Sequence, residues 1–582
     1  MLYWTGFAGK IQAERRGSMR PDVADFYSGI SFDAFRLLGA HPAGPGRGWG
    51  FTVWAPHARR VQVLGDWNGW NLYRCGELAF CEDGLWRGRV RQARAGQLYK
   101  YNIQGPDGVW RLRPDPFAFG FEDLPGTASR LVDPGAPVPS LRGTLPAVPR
   151  IYEVHAASWR RHWDGRYYPG PELAEALVPY VKAHHFTHVE FLPLAEYPFD
   201  GSWGYQGSGY FAPTGRIGGL AGFAALVHAL HRAGIGVIMD FVPVHFAPDT
   251  DRLAEFDGAP LWEAGPSDWG SLRFDLSGGP VRSFLLSSAA FWVYQCGCDG
   301  LRVDAIGSAL RSQGQAAAEF FRTLTAGLHA RFPGVLLMAE DTACGLRATA
   351  ATGAGGLGFD LMWDLGWSGA VLAYLALPFC QRTGGFGRFA DAQPPAGQEK
   401  TLAPLSHDDN APPRGTIRER LYGDEGQRFA QLRMLLLLQA ARPGGSLLFA
   451  GTEFGQRESF DPYREPNWAL PWQGQHRALD EYCAALNLFA AQHPAMADGG
   501  FAWAGQDPET GVLGFVRRDG TETLLFAFNT KDRTAQGEFR APGQGARQIF
   551  ATAAPESGAP PRCGTALRLT LPPLSGGVWA IG

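Results

Sequence analysis

Hydrophobic and polar positions give this chain three successive textures. From Trp49 to Ile103 apolar and polar residues alternate in short runs: Gly50–Ala55, Val61–Gly65, Trp86–Val90 and Leu98–Ile103. Turn residues (Pro56-His57, Asp83-Gly84, Asp107-Gly108) separate them, and short strands at that spacing predict a β-sandwich. After a Pro- and Gly-rich linker, Pro134 to Pro149, the rhythm becomes strand, helix, strand. Strands are expected at 151–155, 188–192, 236–242, 300–305, 335–340 and 446–450. Helices are expected at 171–183, 223–233, 283–294, 316–330 and 427–441, where apolar residues fall on one face. The stretch from Thr342 to Ala403 is irregular and carries two further units around Phe359–Gly366. Repeated βα units with continuously apolar strands predict a parallel α/β barrel. Helical text fades after about Ala485, and 512–516, 523–528 and 578–581 suggest a second sandwich. The expected organisation is α/β: a (β/α)8 TIM-type barrel at 145–485, flanked by sandwiches at 31–140 and 486–582, behind an extension at 1–30.

The strand at Gly300-Leu-Arg-Val-Asp304-Ala is chemically odd. Arg302 and Asp304 are two apart, so both leave the strand by one face. A buried carboxylate is costly unless paired. Taken alone, the pair is as readily a structural ion pair as a site. Its neighbours change that balance. Asp240 with His245, Glu340-Asp341, and His407-Asp408-Asp409 stand at other expected strand ends, where a barrel gathers catalytic groups. Two chemistries use such groups. Metal hydrolysis fits poorly, because none of the clusters has His-x-His or His-Glu-x-x-His spacing. Retaining glycoside chemistry fits better, since it needs an ionised nucleophile and a protonated acid flanking one carbon. Arg302 suits an ionised Asp304. Glu340, in an apolar strand beside another acid, suits a raised pKa and proton donation. Asp408, His407 and His245 can hold sugar hydroxyls, and Tyr205 offers a stacking face.

Composition narrows the classes. With 582 residues, 45% hydrophobic and 19% charged, the chain can build several cores. The net charge of −3 and the lack of a basic block argue against a nucleic-acid partner. No apolar run reaches about 18 residues, so no membrane span is expected. No signal peptide is legible in Met1 to Lys10, and Met19 offers an alternative start. Eight scattered cysteines suit reduced thiols in a cytoplasmic protein better than a disulfide framework. Nineteen Trp provide flat apolar faces for sugars or for the core. Asp66-Trp-Asn-Gly-Trp70 reads equally as a turn over a core Trp or as a carbohydrate platform.

Asp240-Phe-Val-Pro-Val-His245, Gly300–Ala305, Ala339-Glu340 and Ser406-His407-Asp408 resemble the four ordered motifs of the α-amylase superfamily. Tyr152-Glu-Val-His155 with Ser158-Trp-Arg-Arg161, Pro198–Gln206, Gly209–Thr214, Gly358–Trp363 and Gly451–Gln456 resemble glycogen branching enzymes more closely. Leu38–Pro42 and Gly65–Gly69 are similar to the starch-binding module those enzymes carry. The resemblance implies Asp304 as nucleophile, Glu340 as acid/base and Asp408 as transition-state stabiliser. Arg302, His245, His407, Asp240 and Tyr205 would line the reacting subsite. It implies an α-glucan substrate (glycogen, amylose or maltooligosaccharides), transfer of a 1,4-linked segment to a 6-hydroxyl, and no cofactor. Val244 stands where many amylases place a calcium-binding Asn, so no metal is expected there.

Three departures concern what accepts the sugar. Only 36 positions separate Asp304 from Glu340 (340 − 304). Asp409-Asn-Ala-Pro-Pro-Arg414 replaces the Glu and Val-His-Gly-Lys-like stretch usual after His407-Asp408. Glu340 is followed by Asp341 rather than by Glu. The short loop and Glu340-Asp341 also resemble glycosyltrehalose trehalohydrolases. A hydrolase of the same superfamily, and a non-catalytic glucan-binding protein, therefore stand as alternatives to a branching transferase.

Overall fold

The computed structural model describes residues 23–81, 84–340, 345–394, 399–543, 545–553, 562–563 and 566–582. Asp341 and residues 1–22 lie outside the described residues. Two compact units result, and neither is one continuous stretch of chain. The first is Met1–Ala136, Gln206–Gly215 and His245–Gln295; the second is Pro137–Tyr205, Arg216–Val244 and Cys296–Gly582.

In the first unit the alternating text folds into two antiparallel sheets. One contains Gly39–Pro42, Trp49–Trp54, Leu85–Val90 and Ala79–Phe80; the other contains Gly76–Glu77, Arg60–Gly65, Leu98–Gln104, Trp110–Arg113 and Ser129–Arg130. Phe51, Val53, Val61, Val63, Tyr99, Tyr101 and Ile103 are buried, as period two requires of a half-buried strand. The helix expected from Ser283 starts earlier, at Gly279–Tyr294, because Pro280 suits a first helical turn. It joins the same unit: Ser31 N–H donates to Ser283 Oγ (3.2 Å), and Phe35 meets Phe291 edge-on at 5.6 Å. In the loop Asp66–Asn68, Trp67 packs on Phe51 at 5.7 Å, while Trp70 Nε1 donates to Asp66 Oδ1 at 2.9 Å.

The second unit holds a closed parallel barrel of eight strands: β1 Arg150–Val154, β2 His188–Phe191, β3 Gly236–Phe241, β4 Gly300–Val303, β5 Leu336–Glu340, β6 Leu361–Trp363, β7 Thr401–Leu405 and β8 Ser446–Phe449. Ile151, Ile238, Met338, Leu361, Leu402 and Leu447 form one buried cluster. Two residues further along the same strands come Glu153, Asp240, Glu340 and Trp363. Side chains two apart share a face, so an apolar layer underlies a charged one. Gly300 keeps β4 close to its neighbour, because a Cβ there would meet Leu336 O at 2.6 Å.

The same unit differs from the sequence expectation in three places. The helix placed at 316–330 spans Ile306–Arg331, with Gly314 (φ 51°) breaking its regularity. Its first third, Ile-Gly-Ser-Ala-Leu-Arg-Ser-Gln-Gly-Gln, is too poor in helix formers to be legible. The irregular stretch carries β6 and two helices, Leu365–Leu375 and Arg382–Asp391. Helical text does not fade at Ala485, because Gly474–Gln492 is one helix. Beyond it, Gly500–Asp507, Val512–Arg518, Thr523–Asn529, Ser575–Ile581 and Ala546–Ala551 form one antiparallel sheet. A second holds Ala535–Arg540, Ala566–Leu571 and Arg562–Cys563, and Phe539, Leu525, Leu567 and Trp579 lie in a shared core. No described helix is long and apolar enough to cross a membrane.

Candidate active site

Arg302 is the hub of the charged layer and is 1% exposed. Its Nη1 donates to Asp240 Oδ1 and Oδ2 (2.8 and 2.7 Å) and to Asp304 Oδ1 (2.9 Å). Its Nη2 lies 3.1 Å from Glu340 Oε2. Adjacent parallel strands β3, β4 and β5 bring the three acids to one guanidinium: Asp240 pairs in register with Arg302, and Arg302 with Met338. The Trp363 ring covers the guanidinium at 4.4 Å. An aromatic face favours a desolvated cation there.

Asp304 and Glu340 lie side by side on Arg302, at 2.9 and 3.1 Å. Glu340 Oε2 also accepts the Ala305 N–H at 2.8 Å. That bond requires Ala305 at φ 48° and ψ 35°, a left-handed conformation that costs an alanine about 1 kcal/mol or more. Such strain persists where surrounding contacts over-determine it. Burial pushes the Asp304 carboxyl well above its ordinary value, Arg302 opposes, and Glu340 and Asp240 push it further up. One guanidinium is divided among three carboxyls, so Arg302 opposes the push on Asp304 without cancelling it.

A second chain of bonds reaches the pair from the other side of the barrel mouth. Tyr205 Oη donates to Asp240 Oδ2 (2.6 Å) and lies 3.2 Å from His407 Nε2, with the two rings stacked at 5.5 Å. His407 Nδ1 lies 2.6 Å from Glu153 Oε1, and its backbone N–H donates to Glu153 Oε2 at 2.8 Å. Burial works against charge on His407, but Glu153 and Asp408 outweigh it and push the ring up to about 10. His407 is therefore an imidazolium at neutral pH. Asp408 Oδ1 sits 3.7 Å from Nε2 on a side chain that is 49% exposed, so it faces the open cleft rather than the packed layer.

A histidine held above its ordinary 6.5 adds stability that is complete below that value and lost as pH rises through about 10. We expect the melting temperature to fall between pH 7 and about 10. The fall should be flatter in Glu153→Gln, which lacks the strongest stabiliser of the charged ring. Parallel declines in scanning fluorimetry of the two proteins would contradict this.

Of the eight expected site residues, the second unit brings together Tyr205, Asp240, Arg302, Asp304, Glu340, His407 and Asp408. His245 belongs to the first unit. There it is 4% exposed, 3.1 Å from Ser271 Oγ and 5.0 Å from the Trp269 ring, and burial lowers it to about 4, so it is neutral. Sequence reasoning missed Glu153, the counter-charge of His407. It also missed Glu190 on β2, fully buried, with neither carboxyl oxygen hydrogen-bonded. Burial, with Glu153 and Asp240, pushes Glu190 well above the carboxylate range and keeps it neutral. The signal existed: an acid two residues past an apolar inward position, as in Ile151-Tyr-Glu153 and His188-Val-Glu190.

Comparison with known proteins adds to this geometry. Residues 37–118 match the family described as Carbohydrate-binding module 48 (Isoamylase N-terminal domain). Over 543 residues the chain is 38% identical to the 1,4-alpha-glucan branching enzyme GlgB of Dechloromonas aromatica, spanning 86% of this chain and 87% of that protein. It is 37% identical over 527 residues to the enzyme of the same name from Bacillus caldolyticus, spanning 85% and 79%. Among solved structures, a pullulanase complexed with maltotetraose from Anoxybacillus sp. LM18-11 superposes with a TM-score of 0.74 over 96% of this chain and 89% of that one, at 16% identity. A putative alpha amylase from Salmonella typhimurium gives 0.72 over 94% and 99%, at 19% identity. At these identities the structures speak for the fold alone.

Proposed function

The chain belongs to the 1,4-α-glucan branching enzymes, and from that premise we propose that Asp304 and Glu340 carry out a retaining segment transfer. Glu340 protonates the glycosidic oxygen of an α-1,4 linkage while Asp304 attacks the anomeric carbon. The bond from that carbon to oxygen breaks, the reducing-side chain leaves with the proton, and a glycosyl ester forms on Asp304. Glu340, now ionised, takes the proton from the 6-hydroxyl of a second glucan. The freed oxygen attacks the same carbon and expels Asp304. One α-1,4 bond becomes one α-1,6 bond, and both carboxyls return to their starting state.

The single observation behind this reading is that Asp304 and Glu340 converge on one guanidinium, Arg302, at 2.9 and 3.1 Å. The first step requires one ionised and one protonated carboxyl side by side. Arg302 orients both. Glu340 gains charge when it gives up its proton, and the Ala305 N–H and Arg302 Nη2 already point at its Oε2. In this reading Asp408 contacts the hydroxyls of the reacting ring and His407, as a cation, donates to them. Tyr205 and Asp240 hold the floor. The partner is an α-glucan. Cys75, Cys81, Cys296, Cys298, Cys380 and Cys483 are free thiols, which supports a cytoplasmic location.

Hydrolysis differs only in what intercepts the ester. Incubation with amylose separates the outcomes. Branching lowers iodine colour without new reducing ends, and a debranching enzyme then releases short chains. Reducing ends rising in proportion to colour loss would contradict branching and establish hydrolysis. No change at all would contradict catalysis.

A further inference from the structure

A cavity of about 410 Å³ opens in the second unit at the start of the barrel strands, at the end away from the reactive carboxyls. Arg150 and Ser446, the paired first residues of β1 and β8, stand in its wall. Such a volume lies within the usual range of small-molecule sites, roughly 300–1,000 Å³. The wall is largely apolar, with Val148, Pro494 and Met496 in it, and it also carries Arg150, Arg442 and His493. No Asp or Glu among the described residues lines it.

Arg442 is the odd member of that wall. It is 2% exposed. Its Nη2 donates to Asp364 Oδ2 (2.7 Å) and Pro394 O (3.3 Å), and the guanidinium lies over the Trp367 ring at 5.2 Å. Its Nε and Nη1 are buried and have no hydrogen-bond partner among the described residues. A buried donor without an acceptor is costly, and more so on a cation. Folded proteins leave few such groups, and an ion or ligand is one thing that completes them. Burial draws the Arg442 guanidinium below its ordinary value, and Asp364 offsets only part of that.

The neighbouring groups point to the same deficit. Arg150 Nε donates to His185 O at 3.3 Å, and burial draws this guanidinium down as well, with no carboxylate opposing. His493 Nδ1 lies 2.5 Å from Glu522 Oε1, which leaves Nε2 as its second ring nitrogen for a ligand. Asp364 and Glu522, the acids that these residues meet, are not part of the wall. Fully buried Arg517 donates to Ala441 O (2.8 Å), Gly499 O (2.8 Å) and Met496 O (3.3 Å). It thereby offsets negative partial charge where the helices Glu425–Ala440 and Pro494–Asp498 end.

We propose that this cavity binds a small molecule with an anionic head, phosphate or carboxylate, on a largely apolar body. The head meets Arg442 and Arg150, and the body lies against Val148, Pro494 and Met496. Guanidiniums hold both kinds of head through charge-assisted hydrogen bonds. Arg150 and Ser446 pair where β1 meets β8, so an occupant also braces the closure of the barrel. The site is independent of the transfer chemistry proposed above.

Phenyl phosphate and benzoate are the probes, with phenol as the uncharged control, at neutral pH and constant ionic strength. We expect titration calorimetry to show saturable binding of one or both anions to the native protein, with a matching rise in melting temperature. Which anion binds identifies the head, and phenol should bind far more weakly. Ala491→Glu places a carboxylate on an exposed wall position of the helix Gly474–Gln492 and should weaken anion binding at least about tenfold. Arg150→Gln keeps a donor for His185 O and should weaken it several-fold. Both variants retain the Arg442–Asp364 pair, and their melting temperatures without probe check that they fold. Binding of neither anion, equal binding of phenol, or anion affinity unchanged in both folded variants would overturn the assignment.

Discussion

Replacing Asp304 with Ala is expected to lower the branching rate on amylose by at least about 10⁴-fold, the scale of loss seen when a covalent nucleophile is removed. Among the described residues no other carboxyl is placed to take over. Asp240 is held by two oxygens to Arg302 and by Tyr205, and Asp408 stands at the exposed end beside His407. The same variant should melt at or above the temperature of the native protein. Burial raises the Asp304 carboxyl, and a carboxyl raised on folding opposes the fold wherever it must ionise, above its ordinary range. Loss of activity with retained or increased stability separates a catalytic acid from a structural ion pair, whose removal leaves a charge unmatched. Near-native activity in Asp304→Ala, measured by iodine colour and debranched chains, would refute the nucleophile. A large drop in melting temperature would restore the structural reading.

Glu340→Gln should have the second largest effect and a different signature. With amylose the leaving oxygen needs a proton, and losing the acid should cost about 10²–10⁴-fold. With a glycosyl fluoride the leaving group needs no proton, so the first step proceeds far better than with amylose. The second step still lacks its base, so the glycosyl-enzyme accumulates. The amide preserves the shape of the carboxyl and can still accept from the Ala305 N–H, so the left-handed turn at Ala305 is expected to survive. Equal losses on both donors would argue that Glu340 positions Asp304 instead of moving protons.

Much of this site was legible in the sequence, for a physical reason. A barrel strand repeats every second residue, so a charged residue on an apolar strand betrays the inward face near the mouth. Arg302, Asp304, Asp240 and Glu340 stood out on that ground alone. Other features had no local signal. The upward push on the Asp304 carboxyl depends on how many acids one guanidinium must serve, a sum over three strands. Glu153 and Glu190 sit in strand middles, where an acid is legible only once its inward neighbour is known. The charge on His407 comes from Glu153, 254 positions away in sequence. The fold shows the same division. Period two and period 3.6 marked most strands and helices, whereas Ile306–Arg331 began ten residues before its helical text. The helix Gly474–Gln492 was missed because its mixed polar surface masked the buried stripe of Leu479, Cys483 and Leu486.

The departures after Asp304 and Asp408 look different beside the structure. The short span from Asp304 to Glu340 is filled by a helix that begins almost at once after β4. Arg414, in the stretch that replaces the usual sequence after Asp408, donates to Asp408 O at 3.4 Å. The altered residues thus shape the rim around Asp408, while the Arg302–Asp304–Glu340 arrangement keeps both carboxyls on one guanidinium. In the proposed transfer, bond breaking falls to the groups on strands β3 to β5, and the acceptor is chosen by what the rim admits.

In the proposed transfer a glucan segment passes through an ester on Asp304. Glu340→Gln incubated with maltotriosyl fluoride, quenched and digested, tests it by peptide mass spectrometry. The account predicts one modified peptide, carrying the maltotriosyl mass at Asp304, which disappears in the Asp304→Ala, Glu340→Gln double variant. A label on any other residue, or fluoride release with no labelled peptide at any time, would contradict it.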